Sequence, residues 1–134
     1  MKIFLLILFF NLTDITNYAS ANDPYDNDLR GINLICYNDS QSIDDWGIKF
    51  IENRNVILFT LEKFIYEIYM YKRSYRSDLR NITIFKDDVI DFKINRKTLK
   101  FGNKTCLRTE SDPRVLLEKR ILDLKKEKTK TNKI

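Results

Sequence analysis

Apolar residues run unbroken from Ile3 to Phe10, and no other stretch of the chain is so purely apolar. Lys2 stands before that run, and a polar stretch ending in Ala19-Ser20-Ala21 follows it. A positive start, a short greasy core and small residues at a candidate cut site form the layout of a secretory signal peptide. The run falls far below the roughly 20 residues a bilayer-spanning helix needs. Residues 1–21 are therefore expected to direct export and be removed, leaving no transmembrane anchor.

Past the signal the pattern changes twice. Residues 22–30 are acidic, turn-rich and without periodicity, and read as a flexible leader. From Gly31 the pattern alternates with the period of strands: Ile32, Leu34 and Cys36 against Asn33, Ile35 and Tyr37. After the polar loop Asn38–Asp45, strands are expected at Trp46–Ile51 and Val56–Leu61, with Glu52–Asn55 as the turn. Phe64–Tyr71 is aromatic and β-branched and favours another strand. A single helix across residues 56–72 is the rival reading, because short apolar runs do not separate the two.

Lys72–Arg80 reads as a charged loop. Further strands are expected at Ile82–Phe85, Val89–Ile94, Thr98–Phe101 and Lys104–Arg108, with turns at Asp87-Asp88, Asn95-Arg96 and Gly102-Asn103. The pattern then breaks. Ser111-Asp112-Pro113 offers a cap and a proline for the first helical turn, and Val115, Leu116, Ile121, Leu122 and Leu124 fall near helical spacing. A helix of about three turns is expected from about residue 113, and residues 125–134 read as a basic disordered tail.

These elements describe one mainly β domain over 31–124, a small antiparallel meander sheet or barrel with one C-terminal α-helix. Cys36 and Cys106 are the only cysteines, and in an exported chain such a pair reads as a disulfide joining first strand to last. If those strands are neighbours, the sheet is curled nearly shut.

The net charge is +5, yet it is unevenly placed. Residues 22–113 hold 15 basic and 15 acidic side chains, and Lys2 and Asp14 cancel, so the whole surplus lies beyond Pro113. A neutral body with a basic end gives no expectation of nucleic-acid binding. It does leave open attachment of the tail to an anionic surface.

The chain has no histidine, which removes histidine general bases, Ser-His-Asp and Cys-His catalysis and the common zinc sites. Three scattered glycines build no phosphate loop. Neither a cofactor nor a metal is expected. Carboxylate chemistry remains, with Glu67 and Asp91 as the acid/base candidates; Asp44-Asp45 and Asp87-Asp88 read as turn formers. Trp46, Tyr66, Tyr69, Tyr71 and Tyr75, with Arg73 and Arg76 beside them, form a candidate stacking surface. Core packing explains many such aromatics without a ligand. Asn38-Asp39-Ser40, Asn81-Ile82-Thr83 and Asn103-Lys104-Thr105 match the N-glycosylation pattern.

The segment Asp91-Phe92-Lys93-Ile94-Asn95-Arg96-Lys97-Thr98-Leu99-Lys100, followed by Cys106 and preceded by Leu34-Ile35-Cys36, resembles a set of small uncharacterised exported proteins of AT-rich bacterial genomes. The likeness lies mainly in residues 89–108. It implies a periplasmic or secreted β-rich domain and carries no activity or site residue. The expected function is a non-enzymatic binding or structural module whose partner is an unknown protein or an envelope polymer. The alternatives are a small carboxylate-dependent hydrolase or its inhibitor, and a protein attached to a surface by its basic tail.

Overall fold

A computed structural model describes residues 24–38 and 45–131. The expected signal segment 1–21 and the end of the expected tail lie outside them. Eight strands follow in chain order: β1 (Asn33–Asn38), β2 (Trp46–Phe50), β3 (Asn55–Glu62), β4 (Glu67–Ser77), β5 (Asn81–Lys86), β6 (Val89–Asn95), β7 (Lys100–Phe101) and β8 (Lys104–Thr109). One helix, α1 (Pro113–Thr131), closes the described chain. The strands form one antiparallel sheet in the order β6-β5-β4-β3-β2-β1-β8-β7, nearly closed into a barrel.

The clasp is the β1–β8 pair. Cys36 lies directly opposite Cys106 in the register and is bonded to it. Closing a loop of that length stabilises a fold by about 4 kcal/mol in the chain-entropy model. At the far edges of the sheet, Phe92 of β6 stacks on Phe101 of β7 with ring centroids 4.5 Å apart, so side chains bring the ends together.

Two apolar layers result. Inside the curl lie Leu34, Ile48, Phe50, Val56, Leu58, Tyr75, Ile84, Ile94 and the disulfide. Outside it, α1 sets Leu117 on Ile35, Phe59 and Leu61. β3 serves both layers by alternation and is apolar on both faces.

The start of α1 is fixed by close contact. The Asp112 carboxylate accepts the Arg114 N–H at 3.0 Å and the Lys49 ammonium at 2.7 Å. Pro113 packs on Gly47, where an added Cβ would come within 2.6 Å of the proline Cβ.

The strand reading of residues 56–72 holds over the rival helix, with β3 and β4 meeting in a turn at Lys63–Tyr66. Two expectations change. The charged stretch after Tyr71 is no loop as far as Ser77, because β4 continues through it with Tyr75 and Ser77 buried and Lys72, Ser74 and Arg76 exposed. Arg73 hid that alternation: it occupies an inward position and reaches its guanidinium out to Asp91 at 3.4 Å. The other is the end of the helix: α1 continues through the basic stretch to Thr131 in place of ending near Leu124. Lys and Glu are good helix formers, so the helix outlasts its apolar stripe.

The acidic leader is also tied down within its described part. The Leu29 N–H donates to the Tyr75 hydroxyl at 2.8 Å, and the Asn27 N–H donates to Ser77 Oγ at 2.8 Å. Arg54 donates to the carbonyls of Asp26 and Asn27, and Leu29 itself is buried. These residues close one end of the curl.

Candidate functional site

Register decides which candidate residues meet. Cys106, Cys36, Trp46, Thr60 and Tyr69 form one continuous row of paired neighbours across β8, β1, β2, β3 and β4. Paired residues share a face, so Tyr69 points to the concave side with Trp46, and Tyr71 and Arg73 follow it at period two. Trp46 packs edge-on against Phe92 at 6.0 Å and tilted against Phe101 at 5.9 Å, with the Lys104 ammonium 5.1 Å from its ring centroid. The Arg73 guanidinium lies 5.4 Å from the Tyr71 ring centroid.

The remaining candidates lie elsewhere. Tyr75 is 1% exposed and stacks edge-on with Phe50 at 4.9 Å, so it is a core residue and no part of a surface. Arg76 lines a cleft of about 460 Å³ on the other flank of β4, beside Arg54, Asp26 and Asp88. Tyr66 stands in the β3–β4 turn at φ +54°, with the ammonium groups of Lys125 and Lys128 5.6 and 5.8 Å from its ring centroid.

The two acid/base candidates are held apart. Glu67 is exposed at the start of β4, opposite Glu62. Asp91 is an extra residue on β6: the register passes from Ile84↔Phe92 to Phe85↔Ile90 and leaves it unpaired, a bulge that frees its side chain to meet Arg73. Arg73 lies six residues along β4 from Glu67, which is about 20 Å of strand. Paired glycosidase carboxylates stand no more than about 9.5 Å apart. The Asp45 carboxylate is engaged by Arg120 at 3.3 Å. Among the described residues no three acidic or cysteine side chains gather as a metal site would require.

What the structure does assemble is an apolar strip. Phe64 is 80% exposed, Ile65 54%, Tyr69 39%, Met70 50% and Tyr71 42%. Met70 lies on the convex side, where Arg114 of α1 approaches its sulfur at 3.1 Å. The aromatic and β-branched composition of 64–71 puts Phe64 and Ile65 within a strand and singles out no role for Met70. The available signal was that residues 64–71 hold seven apolar side chains to one charge, too many for a strand with one dry face.

The strip coincides with an unpaired edge. Among the described residues β5 pairs with β4 only over Ser74–Ser77, leaving Glu67–Arg73 with β3 as their one strand partner. The Tyr75 N–H donates to the Arg54 carbonyl at 2.9 Å, which fixes odd-numbered residues of β4 as pointing their N–H and C=O groups toward β3. Those of Ile68, Met70 and Lys72 therefore face the free edge. The Lys72 carbonyl accepts from the Arg73 guanidinium at 3.0 Å. At the head of this edge, loss of water around the Tyr69 hydroxyl, and then the charge of Glu67, push its pKa above the ordinary value.

No family model, curated protein or solved structure matches the chain.

Proposed function

We propose that this protein is an exported, non-enzymatic binding module, periplasmic or secreted, whose contact surface is the β3–β4 tip and the unpaired half of β4. The observation that carries the reading is the run of exposed apolar side chains at Phe64, Ile65, Tyr69, Met70 and Tyr71 in a chain that has a full core without them. Monomeric surfaces bury or scatter such residues; here they gather at one turn and along one strand edge, Tyr69 and Tyr71 on one face and Met70 on the other, where a partner can cover the edge from both sides. The signal-like start and the Cys36–Cys106 bond support an oxidising compartment. The absence of histidine and the separation of Glu67 from Asp91 weigh against the hydrolase alternative.

The test has two arms. Expression of the full chain in an exporting cell should yield a species shortened to Asn22 whose two cysteines resist alkylation until reduced. Retention of the processed protein on envelope protein or polymer should fall by about tenfold or more when Tyr69 and Tyr71 are both changed to Ser, as loss of two interface aromatics predicts. Measured turnover of a substrate by the processed protein would sink the reading.

A second reading is favoured by one contact. Lys125 and Lys128 of α1 bracket Tyr66 beside the exposed Phe64 and Ile65, placing basic and apolar groups at the same tip. That pairing suits an anionic lipid surface, where each nearby Lys contributes about 1 kcal/mol. Vesicles of anionic and zwitterionic lipid separate the cases: adsorption to the first alone, weakened steeply by salt and by removal of residues 125–134, supports it.

A further inference from the structure

We infer that the free edge of β4 pairs with the same edge of a second copy of this chain. The proposal rests on the strip described above as a contact surface, and on neither export nor any other ligand. An antiparallel two-fold centred on Met70 places residue 68 opposite residue 72 of the other copy and Met70 opposite itself. All three are the residues whose N–H and C=O groups face the free side, so each opposed pair is of the hydrogen-bonded kind. The backbone polarity of the edge therefore already suits this register.

Side chains choose the same register. On the concave face it sets Tyr69 against Tyr71 of the second copy, an aromatic pair formed twice by symmetry. It also sets Glu67 against Arg73 of the second copy, again twice. Registers shifted by one hydrogen-bonded step either way put Glu67 opposite Tyr71 or Tyr75, and a centre at Lys72 brings two ammonium groups together. Only the Met70 centre pairs every charge of the segment on that face with its opposite. Arg73 is already near Asp91 at 3.4 Å and would lie between two carboxylates, a bridge its forked guanidinium can make.

Met70→Pro is the sharpest probe, because the Met70 N–H points away from β3. Proline there removes an edge donor and leaves the β3–β4 ladder whole. Sedimentation of the oxidised protein from micromolar to hundreds of micromolar should show a dimer, dissociated by Met70→Pro and weakened by about tenfold in Glu67→Lys, with more repulsion at low salt. Should Met70→Pro fail to fold, Glu67→Lys still decides, since Glu67 is exposed and opposes a like charge in its own sheet.

Register is tested by cross-linking. Opposed hydrogen-bonded residues have Cα atoms about 5.5 Å apart, within disulfide reach, whereas two Lys72 positions would be more than about 10 Å apart. Met70→Cys should link two chains on mild oxidation and Lys72→Cys should not. A monomer across the whole range overturns the proposal. So does a dimer that ignores both edge substitutions, or one that links through Lys72→Cys. Any of these results leaves the binding-module reading standing if the folded Tyr69→Ser, Tyr71→Ser protein still loses envelope retention.

Discussion

Tyr71 and Tyr75 occupy the same strand, point to the same concave face and lie four residues apart, yet one is 42% exposed and the other 1%. The difference comes from neighbours. Beside Tyr75 stand β3, β5 and the leader, whose Leu29 N–H donates to its hydroxyl. Beside Tyr71, among the described residues, stands β3 as the one strand partner, with Arg73 over the ring. Burial of an aromatic is thus set by how many elements converge on its place in the sheet, and the residue type and its alternation do not reveal that number. β4 has a structural half and a presenting half, and the boundary falls where β5 ends.

That contrast can be broken most forcefully at Tyr75. Tyr75→Ala removes the stack with Phe50, the Arg54 contact and the acceptor of the Leu29 N–H, and should cost about 3–5 kcal/mol in chemical denaturation. A loss below about 1 kcal/mol would mean that the leader and β5 do not enclose this half as described. Gly47→Ala comes next. It forces Pro113 outward and should cost about 1–3 kcal/mol, with faster amide exchange in the first turns of α1. Tyr71→Ala, in the presenting half, should change stability by less than about 1 kcal/mol, read by the same denaturant titration.

The smallest effects are in pH, and they carry opposite signs in the two halves. Arg30 beside Asp28 holds that carboxyl at about 2, backbone N–H donors lower Asp78, and Lys49 lowers Asp112. Each folded value lies below the unfolded one, so their stabilisation is complete above about pH 4 and is lost as pH falls through the folded values. All three surround the closed parts of the molecule. Tyr69, in the presenting half, has a raised value, so its contribution is full below about pH 10 and is lost as pH rises through its folded pKa. An absorbance titration compared with that of Tyr69→Phe should show Tyr69 ionising late, and Glu67→Gln should bring it earlier.

The sequence made the clasp legible, because two cysteines on alternating segments at opposite ends demand neighbouring strands. It also showed most turns through Asn, Asp and Gly, including Asp87-Asp88, where both residues take positive φ as a two-residue hairpin turn requires. It did not show that β4 runs on to Ser77, since a charged residue at an inward position breaks alternation unless its long stem is known to reach outward. Nor did it show the leader docked, because Asp26, Asn27 and Asp28 look like a solvated loop until Arg54, Tyr75 and Ser77 arrive from 28 to 50 residues away to meet them. The presenting strip lay in plain view as letters. Its exposure depends on where β5 stops, a fact about pairing between segments that local pattern does not contain.

The β1–β8 clasp carries a consequence for time. A ribosome releases Cys36 long before Cys106, so the first strand can form its hairpin with β2 while its other edge waits for the end of the sheet to be made. The Leu29–Tyr75 contact waits in the same way. High contact order of this kind slows folding and favours late, concerted closure over piecemeal assembly. Until then Cys36 is an unmatched thiol on an unfinished edge, and the speed with which the last strand arrives sets how long the chain is open to the wrong partner.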